Sequence, residues 1–364
     1  MNSDNPANAN DLFGKKIIFI NVGSYKKKFI LERAKELGAI IILVNSRLPL
    51  WAKSLIDYYI EADTYVPENV IDRLKKFLKE NKTTVEKFDG VITFWEDDVP
   101  IQAAVAAEFN LIDNSPEVAQ QCRNKYLMRE VLKEKGVLCA KQRLLLNAED
   151  LEVAIKEIGF PAVLKPAWGA DSEFVVKANN EEEARQIYDY IFKNATPKFN
   201  PIFKYNQSQF IYEEYLEGIE VATESLTQNG QTQVIAISEK MPMKEPYFME
   251  RGDIMPSRFE SPTLKKVQEI VEEAHKALGI QNSISHTEVK VTPVGPAIVE
   301  VAARMGGDYL CDWVKTVWEV DLVEQGLRIC TGLPINAQKT SKPKVFLAGT
   351  YLIPENSGVV TGLR

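Results

Sequence analysis

The stretch Ile284 to Asp308, ISHTEVKVTPVGPAIVEVAARMGGD, reads as two short strand-like runs joined by Pro293-Val294-Gly295-Pro296. If those four residues turn a hairpin, strand alternation places Thr287, Val289 and Val291 on one face with Val299, Val301 and Ala303, and that face is expected to be buried. The opposite face then carries His286, Glu288 and Lys290 from the first strand and Glu300 and Arg304 from the second. Folding about the turn sets Glu288 nearly opposite Glu300. Two carboxylates roughly 5 Å apart repel, so a positive partner is expected between them.

A divalent hard cation meets that need, because Mg²⁺ is commonly held by one or two carboxylates and completes its octahedron with water and substrate phosphates. The competing reading is a half-exposed hairpin whose charges are solvated, with Lys290 offsetting the acids. The hairpin alone does not choose between them.

The chain has 364 residues, 45% hydrophobic and 26% charged, a composition expected of a globular protein of two or three domains with ample core. No apolar run approaches the length of a membrane span, and the N-terminus MNSDNPANAND is polar and acidic, unlike a targeting peptide, so a cytoplasmic protein without membrane contact is expected. Cys122, Cys139, Cys311 and Cys330 lie far apart with no C-x-x-C spacing, which disfavours both a zinc site and a disulfide framework. A net charge of -7 argues against nucleic acid as the main partner. Of the two histidines, His275 is read onto the polar side of a helix from Pro262 to Leu278, whose stripe is Leu264, Val267, Ile270, Val271, Ala274 and Leu278. Only His286 then remains for a Ser-His-Asp triad, and no nucleophile-elbow sequence accompanies it.

Residues 15 to 110 alternate apolar strand runs (KKIIFINV, AIIILVN, DGVITFW) with helical patterns near Tyr25 to Leu37, from Pro67, and across Val99 to Phe109. Such alternation predicts a parallel sheet covered on both sides. The first strand ends in Asn21-Val22-Gly23-Ser24 with a single glycine, so the dinucleotide fingerprint is missing, and Lys26-Lys27-Lys28 is compatible with phosphate binding but at a helix start reads more readily as a solvated face. From Asn114-Ser115-Pro116 one helix is predicted through to Gly136, and it sets Lys125 and Arg129 on one face, balanced by an anion or by Glu130 and Glu134. Lys165, inside the apolar strand FPAVLKPA, needs a partner or a ligand unless its amine snorkels to water. The loop WGADS follows it. Lys193 to Gln209 reads as irregular, and QFIYEEYLEGIEVATESL holds too many glutamates for one buried strand, so it is expected to bend along a cleft. Helices through Trp313 to Cys330 and a strand KVFLAGTYL come last.

Taken in order, FDGVITFWEDDVPIQAAVAAEFNL, NKYLMREVLKEKGV, FPAVLKP, YEEYLEGIEVATES, FMERGDIMPS and HTEVKVTPVGPAIVEVAARMGG resemble the ATP-grasp superfamily over about residues 85 to 364, and within it the L-amino-acid ligases and carnosine-synthase-like proteins. The resemblance implies an α/β chain, α+β overall: a parallel α/β unit over 1-115, a linker helix and small β lid over 116-210, and a larger metal-binding unit over 211-364. It implies ATP with Mg²⁺, or Mn²⁺ in its place, and amino acids as small-molecule substrates. A homodimer is compatible with it, and relatives run on past Arg364.

Carried over by position, Lys125 and Lys165 correspond to lysines on the ATP phosphates, Glu213, Glu214, Tyr215 and Leu216 to the adenine-holding hinge, and Glu220 to the acid on the ribose. Glu288 and Glu300 correspond to the metal ligands and Arg304 to the catalytic arginine. Gly306 and Gly307 offer backbone N–H groups to an anion, and Glu250, Asp253 and His286 are placed toward the substrates. Three departures stand out: Ala302 where a further metal ligand is usual, one glycine in WGADSE, and Asp253 where His is frequent. The implied reaction is carboxylate–amine ligation through an acyl phosphate. The alternatives are ligation or phosphorylation of another small acid, such as a nucleotide or cofactor precursor, and a nucleotide-binding relative without turnover.

Overall fold

Three sheets organise residues 11–205, 209–243 and 245–352, which the computed structural model describes. The polar N-terminal residues 1–10 and the continuing β pattern of 353–364 lie outside that set. In the first sheet β1 (Lys16–Ile20), β2 (Ile40–Asn45), β3 (Tyr58–Glu61) and β4 (Gly90–Ile92) run parallel in the order β3-β2-β1-β4. Their Ile, Leu and Val side chains are buried on both faces, because the crossover helices α1 (Lys28–Glu36) and α2 (Pro67–Glu80) and the following α3 (Val99–Phe109) cover the sheet. The α/β class expected from the alternation is borne out.

The single helix expected after Pro116 is two, α4 (Pro116–Arg123) and α5 (Lys125–Glu134). Asn124 between them is extended, and its side-chain oxygen accepts from the backbone N–H groups of Tyr126 and Leu127 at 2.9 and 3.2 Å. An N-cap therefore interrupts a run whose periodicity alone reads as continuous. The restart places Lys125 in the first turn of α5, and both it and Arg129 are buried.

The second sheet is antiparallel, β5-β8-β6-β7, built from β5 (Gln142–Leu145), β6 (Ala162–Pro166), β7 (Val176–Ala178) and β8 (Phe210–Glu214). Helices α6 (Ala148–Ile158) and α7 (Glu181–Asn194) close one face of it over Leu145, Leu164 and Tyr212.

The third sheet, β13-β12-β9-β10-β11-β14, takes β9 (Ile219–Gln228), β10 (Gln231–Lys240), β11 (Gly252–Met255), β12 (Ser283–Thr292), β13 (Gly295–Ala302) and β14 (Leu347–Thr350). The glutamate-rich segment does bend: its two strands lie in different sheets, separated at residues 215–218. Helix α8 (Ser261–Leu278) covers one face, while α9 (Leu310–Trp318) and α10 (Leu322–Cys330) pack toward the first sheet.

The hairpin forms as β12 and β13, with a two-residue turn at Pro293 and Val294 in place of the four expected, and Glu288 pairs with Glu300. Its register then shifts. Val289 faces Ile298, which leaves Val299 as the extra residue of a bulge. Ile298 takes the buried position expected of Val299, and Val299 turns to the cleft. His275 also departs from expectation. It is fully buried under the sheet, with Nε2 and the Thr287 hydroxyl sharing a hydrogen bond of 2.9 Å and Nδ1 within 3.3 and 3.4 Å of the Thr227 and Thr232 hydroxyls.

Candidate active site

Directly paired residues on neighbouring strands share a face, and the register of the third sheet lays charge across one of its faces in rows. Glu300 on β13 faces Glu288 on β12, which faces Ala222 on β9. Two residues along, Lys290 faces Glu220, and Lys240 on β10 faces Asp253 on β11. In the other direction, His286 faces Glu224. This face is the floor of a cavity of about 520 Å³, whose opposite wall is Val163 and Lys165 of β6 with Glu213 of β8, and whose end is closed by Lys125 and Arg129 of α5 and by Glu96.

Every candidate residue named from the sequence lines this cavity except Gly306. The Gly306 N–H donates to Glu224 at 2.9 Å, so it is not offered to a bound anion as expected. Gly307 alone of the two glycines reaches the cleft.

Each of Glu288 and Glu300 has a lysine of its own, and neither is Lys290. The Lys125 ammonium lies 2.7 Å from Glu300, and the Lys240 ammonium lies 2.5 Å from both Glu288 and Glu250 and 3.1 Å from Glu220. Burial opposes the charge on Lys240, yet Glu288, Glu220 and Glu250 outweigh it and hold its pKa well above the ordinary lysine range. For Glu288, burial is likewise outweighed by Lys240 and His286, which keep the carboxylate well below its usual range.

Lys165 is buried and paired with Glu213, whose other oxygen meets Arg129 at 2.8 Å, so its amine has a partner and does not snorkel. Burial weakens its hold on the proton, and Glu213 offsets part of that. Arg304 pairs with Glu96, which also accepts from Arg123 at 2.6 Å. Burial alone would raise the pKa of Glu96, but the two guanidiniums bring it down to about 2. His286 loses proton affinity to burial and regains more from Glu224, 2.6 Å away, to reach about 9. Asp253 is pushed up to about 6, mainly by burial, and its Oδ1 is enclosed without a hydrogen-bond partner among the described residues.

Four residues of this arrangement escaped the reading of the sequence as site residues: Glu96, Glu224, Lys240 and Arg129. Glu220, Ala222 and Glu224 alternate along β9, a signal that the count of glutamates hides. Glu96 follows β4 at the carboxyl edge of a parallel sheet, where α/β folds gather ligands.

Two antiparallel sheets facing each other over a charged cleft, behind a parallel α/β unit, define the ATP-grasp fold. Over residues 158–312 the chain matches the family model of the ATP-grasp domain. Among known proteins it is similar to mouse carnosine synthase 1, 25% identical over 92% of this chain and 42% of that protein, and to the alanine–anticapsin ligase of Bacillus subtilis strain 168, 28% identical over 66% of this chain and 54% of that protein. The chain thus spans less than half the length of that carnosine synthase. The crystal structure of the L-amino acid ligase from Bacillus licheniformis shares the fold, with a TM-score of 0.73 at 24% identity over 88% of this chain and 74% of that one. Among the described residues, no helix is long and apolar enough to cross a membrane.

Proposed function

We propose that the protein is an ATP-dependent carboxylate–amine ligase that joins amino-acid-type substrates through an acyl phosphate and releases ADP and phosphate. The observation that carries this reading is the convergence of Lys125, Lys165 and Arg304 with Glu288 and Glu300 in one cleft between two sheets. The two lysines meet the nucleotide phosphates, and the backbone of Glu213 to Leu216 meets the adenine. Apolar Val163, Met243 and Phe248 lie in the same cleft, and Glu220 faces the ribose.

Among the described residues, no group of three or more His, Cys, Asp or Glu is arranged to hold a metal. Facing carboxylates on adjacent strands nevertheless fit Mg²⁺ or Mn²⁺, because two carboxylates suffice where water and phosphate oxygens supply the remaining positions. Glu288 and Glu300 would hold the ion, and it would neutralise phosphate charge there.

In the reaction a carboxylate oxygen attacks the γ-phosphorus, and the bond to ADP breaks. An amine then attacks the acyl carbon, loses its proton, and phosphate leaves. The side chains position the reactants and neutralise charge. A fixed guanidinium at Arg304 suits the charge that develops on the tetrahedral carbon's oxygen. His286, Glu250, Asp253 and Gly307 face the amino-acid substrates in this reading. Four free thiols suit a reducing compartment, and a cytoplasmic setting is part of the proposal. So is the division into 1-115, 116-210 and 211-364, with the second bound moved from 210 to follow Glu214 because β8 pairs with β5 and β6.

Incubation with ATP, Mg²⁺ and an amino-acid mixture, read as ADP and phosphate release and by mass spectrometry of the products, tests the reading. An amide product formed in step with ADP is expected. ATP consumption that yields only a phosphorylated acid assigns a kinase instead. ATP should also raise the unfolding temperature, less so in Lys165→Ala. Equal protection of both proteins across an ATP titration removes Lys165 from the nucleotide site.

A further inference from the structure

We propose that Glu224, a residue with no part in the chemistry above, is the positioning residue that clamps the Arg304–Gly307 segment to the sheet floor and sets the ring of His286. The proposal rests on the ligase reading for its effect on turnover, while the clamp itself stands on geometry.

Glu224 sits in the interior of β9, the third strand of six, and only 2% of it is exposed. An enclosed carboxylate is costly unless both oxygens are satisfied. Here each oxygen has one partner. Oε1 lies 2.6 Å from His286 Nδ1 on the neighbouring strand, and Oε2 accepts the Gly306 N–H at 2.9 Å from the segment between β13 and α9. The carboxylate does not line the cavity, so it acts through what it holds.

The identity of Gly306 follows from the same contact. A Cβ there would lie 2.4 Å from Glu224 Oε1, 2.7 Å from Leu310 Cδ1 and 2.9 Å from His286 Nδ1, closer than side-chain atoms pack. Close approach of three side chains to the backbone, the Glu224 carboxylate nearest, and not an unusual φ, favours the glycine. The clamped segment also carries Arg304, whose guanidinium pairs with Glu96 at the end of the cleft, and Gly307, which lines it. Glu224 thereby ties the backbone beside Arg304, assigned to developing charge, and Gly307, assigned to a substrate, to an enclosed part of the sheet. Displacement of about 1 Å at such groups is enough to cost a large factor in rate.

The test uses Glu224→Gln, which keeps volume but cannot accept from both donors, and Gly306→Ala, which strikes the clamp from the other side. Both should lower kcat about tenfold or more while KM for ATP and thermal protection by ATP stay within about twofold. In a Glu224→Ala background, where the nearest of the three crowding atoms is gone, Gly306→Ala should cost less than it does alone, with Leu310 and His286 accounting for the remainder. Hydrogen exchange at residues 305–308 should speed up in Glu224→Gln. The proposal is overturned by kcat within twofold of wild type, by KM for ATP rising in step with the kcat loss, by independent effects in the double variant, or by unchanged exchange. A wild-type protein that binds ATP but ligates nothing defeats the ligase reading instead, and the exchange measurement still judges the clamp.

Discussion

Glu288 and Glu300 face each other from adjacent strands, and each is held by a lysine that comes from another element, Lys240 of β10 and Lys125 of α5. The facing of the two acids is legible in the sequence, since it needs only a hairpin and an alternation of two. Their lysines are not legible, because nothing local ties position 288 to 240 or 300 to 125. Glu288→Gln or Glu300→Gln should abolish nearly all ADP formation with the fold intact, because the carboxamide keeps shape and loses the charge that would hold the metal. Turnover equal to wild type at saturating Mg²⁺ in both variants would remove the metal assignment. Asp253 invites a different measurement. Lys240, its neighbour across the strand pair, is already committed to three glutamates, and Oδ1 of Asp253 has no partner among the described residues. A cationic substrate group would satisfy it. Asp253→Asn should raise KM for a basic amino acid more than for alanine and leave KM for ATP in place. Changes under twofold in both amino-acid values, about 0.4 kcal/mol, would make Asp253 a plain strand residue.

At the scale of elements, helices and strands were legible wherever periodicity was unbroken, as in α2, α3 and the strands of the first sheet. Two interruptions were not. Ala297-Ile298-Val299-Glu300-Val301 offers apolar side chains in either phase around position 298, so its pattern cannot show where the bulge falls. Asn124 is a capping residue inside an amphipathic run, and the run dominated. His275 shows the third kind of miss: its polar surroundings are threonines of β9, β10 and β12, brought together only by the sheet. Burial lowers its pKa from 6.5 to about 4. Above pH 6.5 the ring is neutral folded or unfolded and has no effect on stability. As pH falls below that, the unfolded chain takes the proton first, so this histidine destabilises the fold by roughly 2 kcal/mol at pH 5. Asp98 and Asp113, both raised to about 7 by burial, act in the opposite sense over the same range, so the difference from a His275→Gln variant is the quantity to measure. Urea midpoints of the two proteins should diverge in that direction between pH 7 and 5. Parallel curves would mean that the ring takes up its proton as readily in the folded protein as in the unfolded chain.

For the whole molecule, the parallel first sheet and the antiparallel third sheet share an apolar core and are also joined through one buried carboxylate. Glu96 follows β4 and is 7% exposed, yet it binds Arg123 of α4, which is fully enclosed, and Arg304 beyond β13. Class and layer order were legible because they depend on segments read one at a time. This joint was not, since its three residues lie apart in the chain and nothing local ties Arg304, legible as a site residue, to Glu96 or Arg123. A buried carboxylate between two guanidiniums adds little over a well-packed apolar replacement, but removing it alone leaves enclosed cations uncompensated, at about 3 to 5 kcal/mol. Glu96→Gln should therefore lose roughly 3 kcal/mol in urea unfolding and most of its turnover, because Arg304 loses the group that holds it at the end of the cleft. The two losses should separate on adding ATP, which restores stability by binding the folded state but cannot restore the anchor of Arg304. A variant that unfolds within about 0.5 kcal/mol of wild type would show that Arg123 and Arg304 find other partners, and the joint between the sheets would then rest on apolar packing around Ile92, Ile284 and Leu327.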